Sequence, residues 1–410
     1  MNLILTNARL VTMEPGALGY LPSKPCTVVI RGGYVKAILS DIHSLDTLHH
    51  DITDDVPTLD CKGKIVTPGL IDPHTHLIFA GSRAEEFENR LNGMSYEAIA
   101  QSGGGINSTV RATREATIEE LVELALPRLD SLIRSGCTTI EVKSGYGLTL
   151  DDEVKMLLAA KALENHRRVN ITTTLLAAHT VPSEYRDRPD DYIDYVTETI
   201  IPHVAKHQLA DAVDVFCESV GFNVEQTKRV FQAAKQSGLA IKGHTEQLSN
   251  LGGSALAAEL NALSVDHIEY LDDAGVDALS NSGTVATLLP GAFYFLRETQ
   301  QPPIDNLRAA RVPMAIGSDL NPGTSPFANL QLMMNMACTL FRLTPEESLR
   351  GVTCHAAQAI GQGRNIGQIK PGFRADLAIW DIEHPSELSY QFGMGGLSKR
   401  IVAGSVEDVL

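Results

Sequence analysis

The chain is predicted to be an α/β protein, a (β/α)8 TIM barrel carrying a small β-sandwich domain built from both chain termini. Three observations predict this. Eight short apolar, β-rich runs succeed one another through the middle of the sequence. Segments with helical spacing lie between most of them, and alternating strand and helix implies parallel strands joined by crossovers. The two ends of the chain differ from the middle. They hold short strand-like runs broken by Gly and Pro, and they read as two halves of one unit.

Residues 2–10, 27–30 and 34–38 are strand-like, interrupted by Gly32-Gly33 and by prolines. Residues 45–60, rich in acids and histidines, read as a surface loop closing on another short strand. Barrel strands are expected at 65–70, 138–142, 169–176, 212–217, 239–241, 264–268, 284–288 and 313–316. Helices are expected over 118–135, 151–166, 191–207 and 224–237. Gly136 and Gly238 stand where a helix must stop before a strand begins. The chain then returns to β character at 366–369, a Lys370-Pro371-Gly372 turn, 375–380 and a polar tail. The expected division is a composite β-sandwich of residues 1–66 and 362–410 around a barrel of residues 67–361. Active sites of such barrels lie at the C-terminal ends of the strands.

The 410 residues are 43% hydrophobic and 20% charged, with a formal net charge of −16. This is a globular composition with room for a large core. The acidic balance argues against nucleic acid or an anionic membrane as partner. An anionic substrate would need a local cationic clamp. Residues 1–10 lack the long apolar core of a secretory leader, and no apolar run is long enough to span a bilayer, so a cytoplasmic protein is expected. Six scattered cysteines without a CxxC pair fit reduced core residues. Asn107-Ser108-Thr109 matches a glycosylation sequon by chance in such a protein. Ser102-Gly103-Gly104-Gly105 lacks the lysine of a phosphate-cradling loop, leaving an ordinary connection or a lid over the site. Leu251-Gly252-Gly253 reads as the start of a helix. No dinucleotide fingerprint or Ser-His-Asp arrangement is present.

Chemistry concentrates in three strings, Asp72-Pro73-His74-Thr75-His76, Gly243-His244-Thr245-Glu246 and Gly317-Ser318-Asp319-Leu320-Asn321. Each follows an apolar run. On a strand, His74 and His76 point to the same face, as capture of one ion by both requires. An isolated HxH is more often a pair of hydrogen-bonded loop histidines. Its place at a strand end, with the other two strings, favours a metal. His267 also ends a strand. Asp319 follows a buried one, where an unpaired charge is expensive. His74, His76, His244 and Asp319 form a donor set suited to zinc or iron. Such an ion lowers the pKa of water from about 15.7 to about 7, a change of about 12 kcal/mol at about 1.36 kcal/mol per unit.

The string Pro68-Gly69-Leu70-Ile71-Asp72-Pro73-His74-Thr75-His76 resembles the opening barrel strand of the amidohydrolase superfamily. The order HxH, His, His, Asp is similar to that of its cyclic amidohydrolases and deaminases. Five further strings are similar to those of the hydrolases that open an imidazolone ring in histidine degradation. They are residues 76–83, 141–147, 177–179, 243–247 and 318–324, and they span nearly the whole barrel. The resemblance implies hydrolysis of a cyclic C–N bond in a small substrate carrying a carboxylate. A deaminase or another cyclic amidohydrolase is the alternative. It also implies a homodimer with one zinc or iron ion per subunit, because Lys143 falls on the second strand, the wrong place for a carboxylated lysine bridging two metals.

The same resemblance implies roles for further residues. Arg83, soon after the metal pair, can grip a carboxylate bidentately, the bland alternative being an ion pair with Glu85 or Glu86. Tyr146 and His179 follow the second and third strands; Tyr146 can line the pocket or simply cap the barrel, and His179 can reach a ring carbonyl or nitrogen. Asn321, Gly323 and Thr324 form a loop whose donors can hold the rest of the substrate. Gln247 stands where related deaminases place a proton-shuttling glutamate, and an amide cannot take that role. Gln247 is therefore read as a ring-binding residue. Glu246, beside it, points elsewhere if the local backbone is extended. Proton transfer then falls to Asp319, helped by His267.

Overall fold

Gly69 divides what reads in the sequence as one strand. In the computed structural model, which describes residues 1–40, 56–94, 104–394 and 396–408, the run at 65–70 serves two sheets. In chain order, β1 (Leu3–Leu10), β2 (Cys26–Arg31), β3 (Tyr34–Leu39), β4 (Thr58–Asp60) and β5 (Ile65–Pro68) come first. Then follow β6 (Leu70–Asp72), β7 (Cys137–Lys143), β8 (Asn170–Ala178), β9 (Ala212–Cys217) and β10 (Ala240–Thr245). After these come β11 (Ser264–His267), β12 (Val285–Leu288) and β13 (Met314–Ile316), and last β14 (Leu377–Trp380), β15 (Leu397–Val402) and β16 (Ser405–Asp408). The expected first barrel strand is thus corrected: only β6 belongs to the barrel, while β5 pairs with β1 and β14. Tertiary packing sets the break. A Cβ on Gly69 would lie 2.2 Å from the Thr138 hydroxyl, so only glycine lets the chain cross there.

β6 to β13 run in sequence order around one eight-stranded, all-parallel sheet. The chain beyond the first and last strands brings its edges together. Asp319 N donates to His74 O at 3.0 Å and His76 N to Leu320 O at 2.9 Å. The closing contact therefore lies among the residues that carry the predicted ligands.

The expected helices are present with boundaries set by local chemistry. Ile118–Arg134 begins at a capping box between Thr117 and Glu120, and Val224–Gln236 at one between Asn223 and Gln226. Gly136 and Gly238 follow with φ of 103° and 79°, the left-handed conformation that frees the chain to turn into a strand. The helix Gly253–Glu259 starts where Leu251-Gly252-Gly253 implied. The helix expected at 191–207 is three pieces, Pro189–Tyr195, Val196–Ile200 and Ile201–Lys206, the middle one a wider i→i+5 turn. Pro202, without an N–H, follows that turn.

The second sheet is mixed and draws on both termini, in the order β16-β15-β14-β5-β1-β2-β3, with β4 on β1. It has its own core, including Leu5, Val28, Ile30, Val66, Leu377 and Ile401. The Trp380 indole fills the seam with the barrel, donating to Thr67 Oγ1 at 2.9 Å. Two expectations for the C-terminal part need correction. Residues 366–369 are a bend and irregular chain, with Gly367 at φ 86° pressed against Thr353, although Ile366 and Ile369 are buried. The polar tail contains the hairpin β15–β16. Residues 45–55, and Ser102 and Gly103 of the glycine-rich string, lie outside the described residues. No helix among the described residues is long and apolar enough to cross a membrane.

Candidate metal centre

Hydrogen bonds between side chains and backbone aim the two histidines of the first string. Asp72 Oδ1 accepts from Ser318 N at 3.0 Å, tying the first strand's exit to the last strand's. Thr75 turns the other way and bonds Glu141 O at 2.7 Å. His74 and His76 consequently share one face. His74 Nε2 lies 3.3 Å and His76 Nε2 3.4 Å from Asp319 Oδ1, and His244 Nε2 lies 3.4 Å from His76 Nε2. Ligand atoms of His74, His76 and His244 fall within 4.8 Å of one another, as do those of His74, His267 and Asp319. All five side chains are buried. His267 and Asp319 hold φ of 83° and 50°, a left-handed backbone that non-glycine residues adopt at a cost.

Beneath this cluster lies a layer of charges. Asp266 Oδ2 is 2.6 Å from His74 Nδ1, and Asp214 Oδ2 is 3.0 Å from His244 Nδ1. Lys143 Nζ donates to Asp214 at 2.7 Å and to Glu141 at 2.9 Å. Lys242 Nζ donates to Pro73 O at 2.8 Å and to Glu141 at 3.2 Å. Such charges are tolerable in a core only as a hydrogen-bonded network. Carboxylates bonded to the outer nitrogen of a histidine fix its tautomer and aim its other nitrogen.

The electrostatics follow. Burial and Lys143 push the His74 imidazole down, but Asp266 and Asp319 outweigh them, and its pKa ends above the ordinary value. Burial takes His76 down to about 4, and His267 down to about 3 against the pull of Asp319. Burial raises Asp319, yet the His74 and His76 imidazoles beside its carboxylate hold it well below the usual carboxylate range. Burial also raises Asp72, to about 6. The donor set fits a metal ion. His74 Nε2 is buried without a hydrogen-bond partner, and imidazole nitrogens crowd an ionised carboxylate, as zinc or iron requires.

The other predicted residues line one cavity of about 430 Å³ opening over the cluster, Arg83, Tyr146, His179 and Gln247 among them. The His179 ring stacks on His76 with centroids 5.3 Å apart, and its Nδ1 faces Gly145 O at 3.0 Å. The Tyr146 ring lies 5.4 Å from that of His179, and burial pushes its phenol up. Arg83 pairs with Glu86 inside the cavity wall. Asn321, Gly323 and Thr324 also line the cavity, and the Asn321 side chain braces their loop. Its Oδ1 accepts from Gly323 N and Thr324 N at 2.8 and 2.7 Å, and its Nδ2 donates to Asp319 O at 2.7 Å. Glu246 points away from the cluster, although its backbone is left-handed at φ 51° and not extended, and it caps the helix Gly253–Glu259 through Gly253 N and Ser254 N. Sequence reasoning missed Asp214, Asp266, Glu141 and Lys242. The signal for these four was a charged residue inside an apolar strand, which must find a partner.

Histidines and an aspartate gathered at the C-terminal rim of a (β/α)8 barrel, beside a sheet built from both termini, define an amidohydrolase-type enzyme. The model of the Amidohydrolase family matches residues 65–406, and the chain belongs to that family. It is 66% identical over 406 residues to the imidazolonepropionase of Vibrio cholerae serotype O1, covering 99% of each chain. It is 58% identical over 407 residues to that of Photobacterium profundum, covering 98% of this chain and 99% of the relative. Among solved structures, a zinc-bound adenosine deaminase from Xanthomonas campestris superposes with a TM-score of 0.73 at 18% identity, covering 100% of this chain and 93% of that one. At that identity the likeness concerns the fold.

Proposed function

We propose that the chain hydrolyses 4-imidazolone-5-propanoate to N-formimidoyl-L-glutamate, a ring-opening step of histidine degradation. The convergence of His74, His76, His244 and Asp319 at the barrel rim carries the proposal. The near full-length identity to imidazolonepropionases supports the choice of substrate. One zinc or iron ion held by those four residues would supply Lewis acidity, polarising the ring carbonyl and making water acidic near neutral pH.

The chain's own groups do the rest. Asp319 accepts a proton from the attacking water and returns it to the ring nitrogen as the C–N bond breaks. One water is consumed, and the carbonyl carbon becomes a carboxylate. His267 donates to the carbonyl oxygen as negative charge gathers there. Gln247 hydrogen-bonds the ring, with Tyr146 and His179 along the same cavity. Arg83 and the loop of Asn321, Gly323 and Thr324 take the propionate, with Asn321 acting chiefly by holding that loop. Lys143 has its N–H groups engaged by Asp214 and Glu141, which favours a single metal ion per subunit. A cytoplasmic homodimer without nucleic-acid or membrane partners, organised as residues 1–66 with 362–410 around 67–361, completes the proposal.

The test follows substrate by proton NMR while ammonia is assayed in the same tube. Ring opening without ammonia is expected. Ammonia release would make the chain a deaminase, the reading that Gln247 disfavours.

A further inference from the structure

The cationic side of the cavity is already paired before any ligand arrives. Arg83 Nε donates to Glu86 Oε2 at 2.9 Å, and Arg83 Nη2 donates to Glu86 Oε1. Glu86 Oε2 also accepts from Gly105 N at 2.9 Å, which ties the pair to the start of the helix Ile106–Glu115. The two side chains are only 15% and 10% exposed. On the opposite edge, Arg83 lies against Gly323, where a Cβ would come within 2.2 Å of Nη1. The guanidinium is therefore fixed from both sides. A guanidinium carries five N–H donors in a rigid fork. Glu86 occupies its Nε edge, and among the described residues Nη1, beside Gly323, and the second N–H of Nη2 carry no hydrogen bond and are left for a ligand.

We propose that Glu86 is a positioning residue: it holds the Arg83 guanidinium so that its far end meets the substrate's carboxylate, and selectivity for a carboxylate-bearing ring depends on it. The proposal rests on the reading of Arg83 as the carboxylate contact. Glu86 has two opposed effects on a bound carboxylate. Its charge repels the ligand, and its hydrogen bonds pre-order the group that attracts it. Pre-ordering lowers what binding must spend in immobilising a flexible side chain. The sign of the change on removing Glu86 decides which effect governs.

The experiment compares the parent, Glu86→Gln, Glu86→Asp and Arg83→Ala, matched for metal content and circular dichroism, on 4-imidazolone-5-propanoate and on its methyl ester. Glu86→Gln is expected to raise KM for the acid about tenfold, with kcat within about twofold, the pattern of lost uniform binding. KM for the ester stays unchanged. Glu86→Asp keeps the charge but is one methylene short, and it behaves like Glu86→Gln. The Kd of N-formimidoyl-L-glutamate, measured by calorimetry, weakens by a similar factor. An unchanged or lowered KM and Kd in Glu86→Gln overturns the proposal in favour of simple repulsion. Equal losses on acid and ester overturn it in favour of a purely structural role. If Arg83→Ala does not discriminate acid from ester, the reading of Arg83 has failed. If it does and the Glu86 variants do not, only the role of Glu86 has failed.

Discussion

Asp266 Oδ2 lies 2.6 Å from His74 Nδ1, and both side chains are fully buried. The carboxylate fixes the imidazole with Nδ1 toward the protein, leaving Nε2 to face Asp319. The histidine is therefore aimed before any ion arrives.

Replacing Asp266 by Asn removes the charge while keeping the shape. Metal affinity and kcat/KM are each expected to fall about 10- to 100-fold, as for other outer partners of metal-binding histidines. Metal content after dialysis against graded chelator, with steady-state kinetics, checks this. An unaltered metal affinity would mean that Asp266 does not orient His74.

Lys143 is wholly buried between Glu141 and Asp214. Lys143→Met strands carboxylates in the core and is expected to cost about 3–5 kcal/mol. Removing the exposed partner Arg188, which pairs with Asp191 at 3.1 Å, should cost no more than about 1 kcal/mol. Urea unfolding followed by circular dichroism measures both. Similar midpoints for the two variants would contradict the ranking.

Asp319 is assigned both proton transfer and a place among the metal ligands. Asp319→Asn cannot accept a proton and is expected to lower kcat by at least about 100-fold, alongside reduced metal content. Rapid-quench measurement at saturating metal separates the two effects. A metal-replete variant with near-parental kcat would move the base elsewhere.

Glu347 closes the capping box of the helix Pro345–Gly351 and bonds Arg308 at 2.6 Å. Burial raises its carboxyl, but Arg308 and the Thr344 backbone and hydroxyl pull it below the usual value. A depressed carboxyl stabilises the fold above its unfolded pKa of about 4.3, and the contribution is lost as pH falls through the lower folded value. Glu347→Gln should therefore destabilise by no more than about 1 kcal/mol at pH 7, because the pair is partly solvated. The difference should shrink as pH drops toward and below about 4. Denaturation midpoints across that range test the sign, and a gap that widens on acidification would contradict it.

The site was legible wherever an apolar run ended in a chemically committed residue. His74, His76, His244 and Asp319 all have that signature, and local pattern alone places them on one rim once the strands are parallel. Asp214 and Asp266 were not, because their partners lie on other strands, and only the closed barrel brings Asp266 to His74. The split at Gly69 depends on Thr138, a tertiary neighbour. β15 escaped because Lys399 and Arg400 interrupt its apolar pattern. Arg400 is nonetheless buried, donating to Cys137 O at 2.7 Å. Asn321 lines the cavity beside Gly323 and Thr324, and the hydrogen bonds by which it also holds their loop are not visible in the local pattern.

The most direct measurement is a metal titration of protein stripped by chelator, with bound metal per chain and formation of N-formimidoyl-L-glutamate read on the same samples. The expected result is no turnover in the stripped protein, activity rising in proportion to zinc or iron(II) and saturating at one ion per chain, and no saturable binding in a His74→Ala/His244→Ala variant that still folds. Full turnover by metal-free protein, or unchanged binding in that variant, would contradict the assignment of these residues to a metal centre.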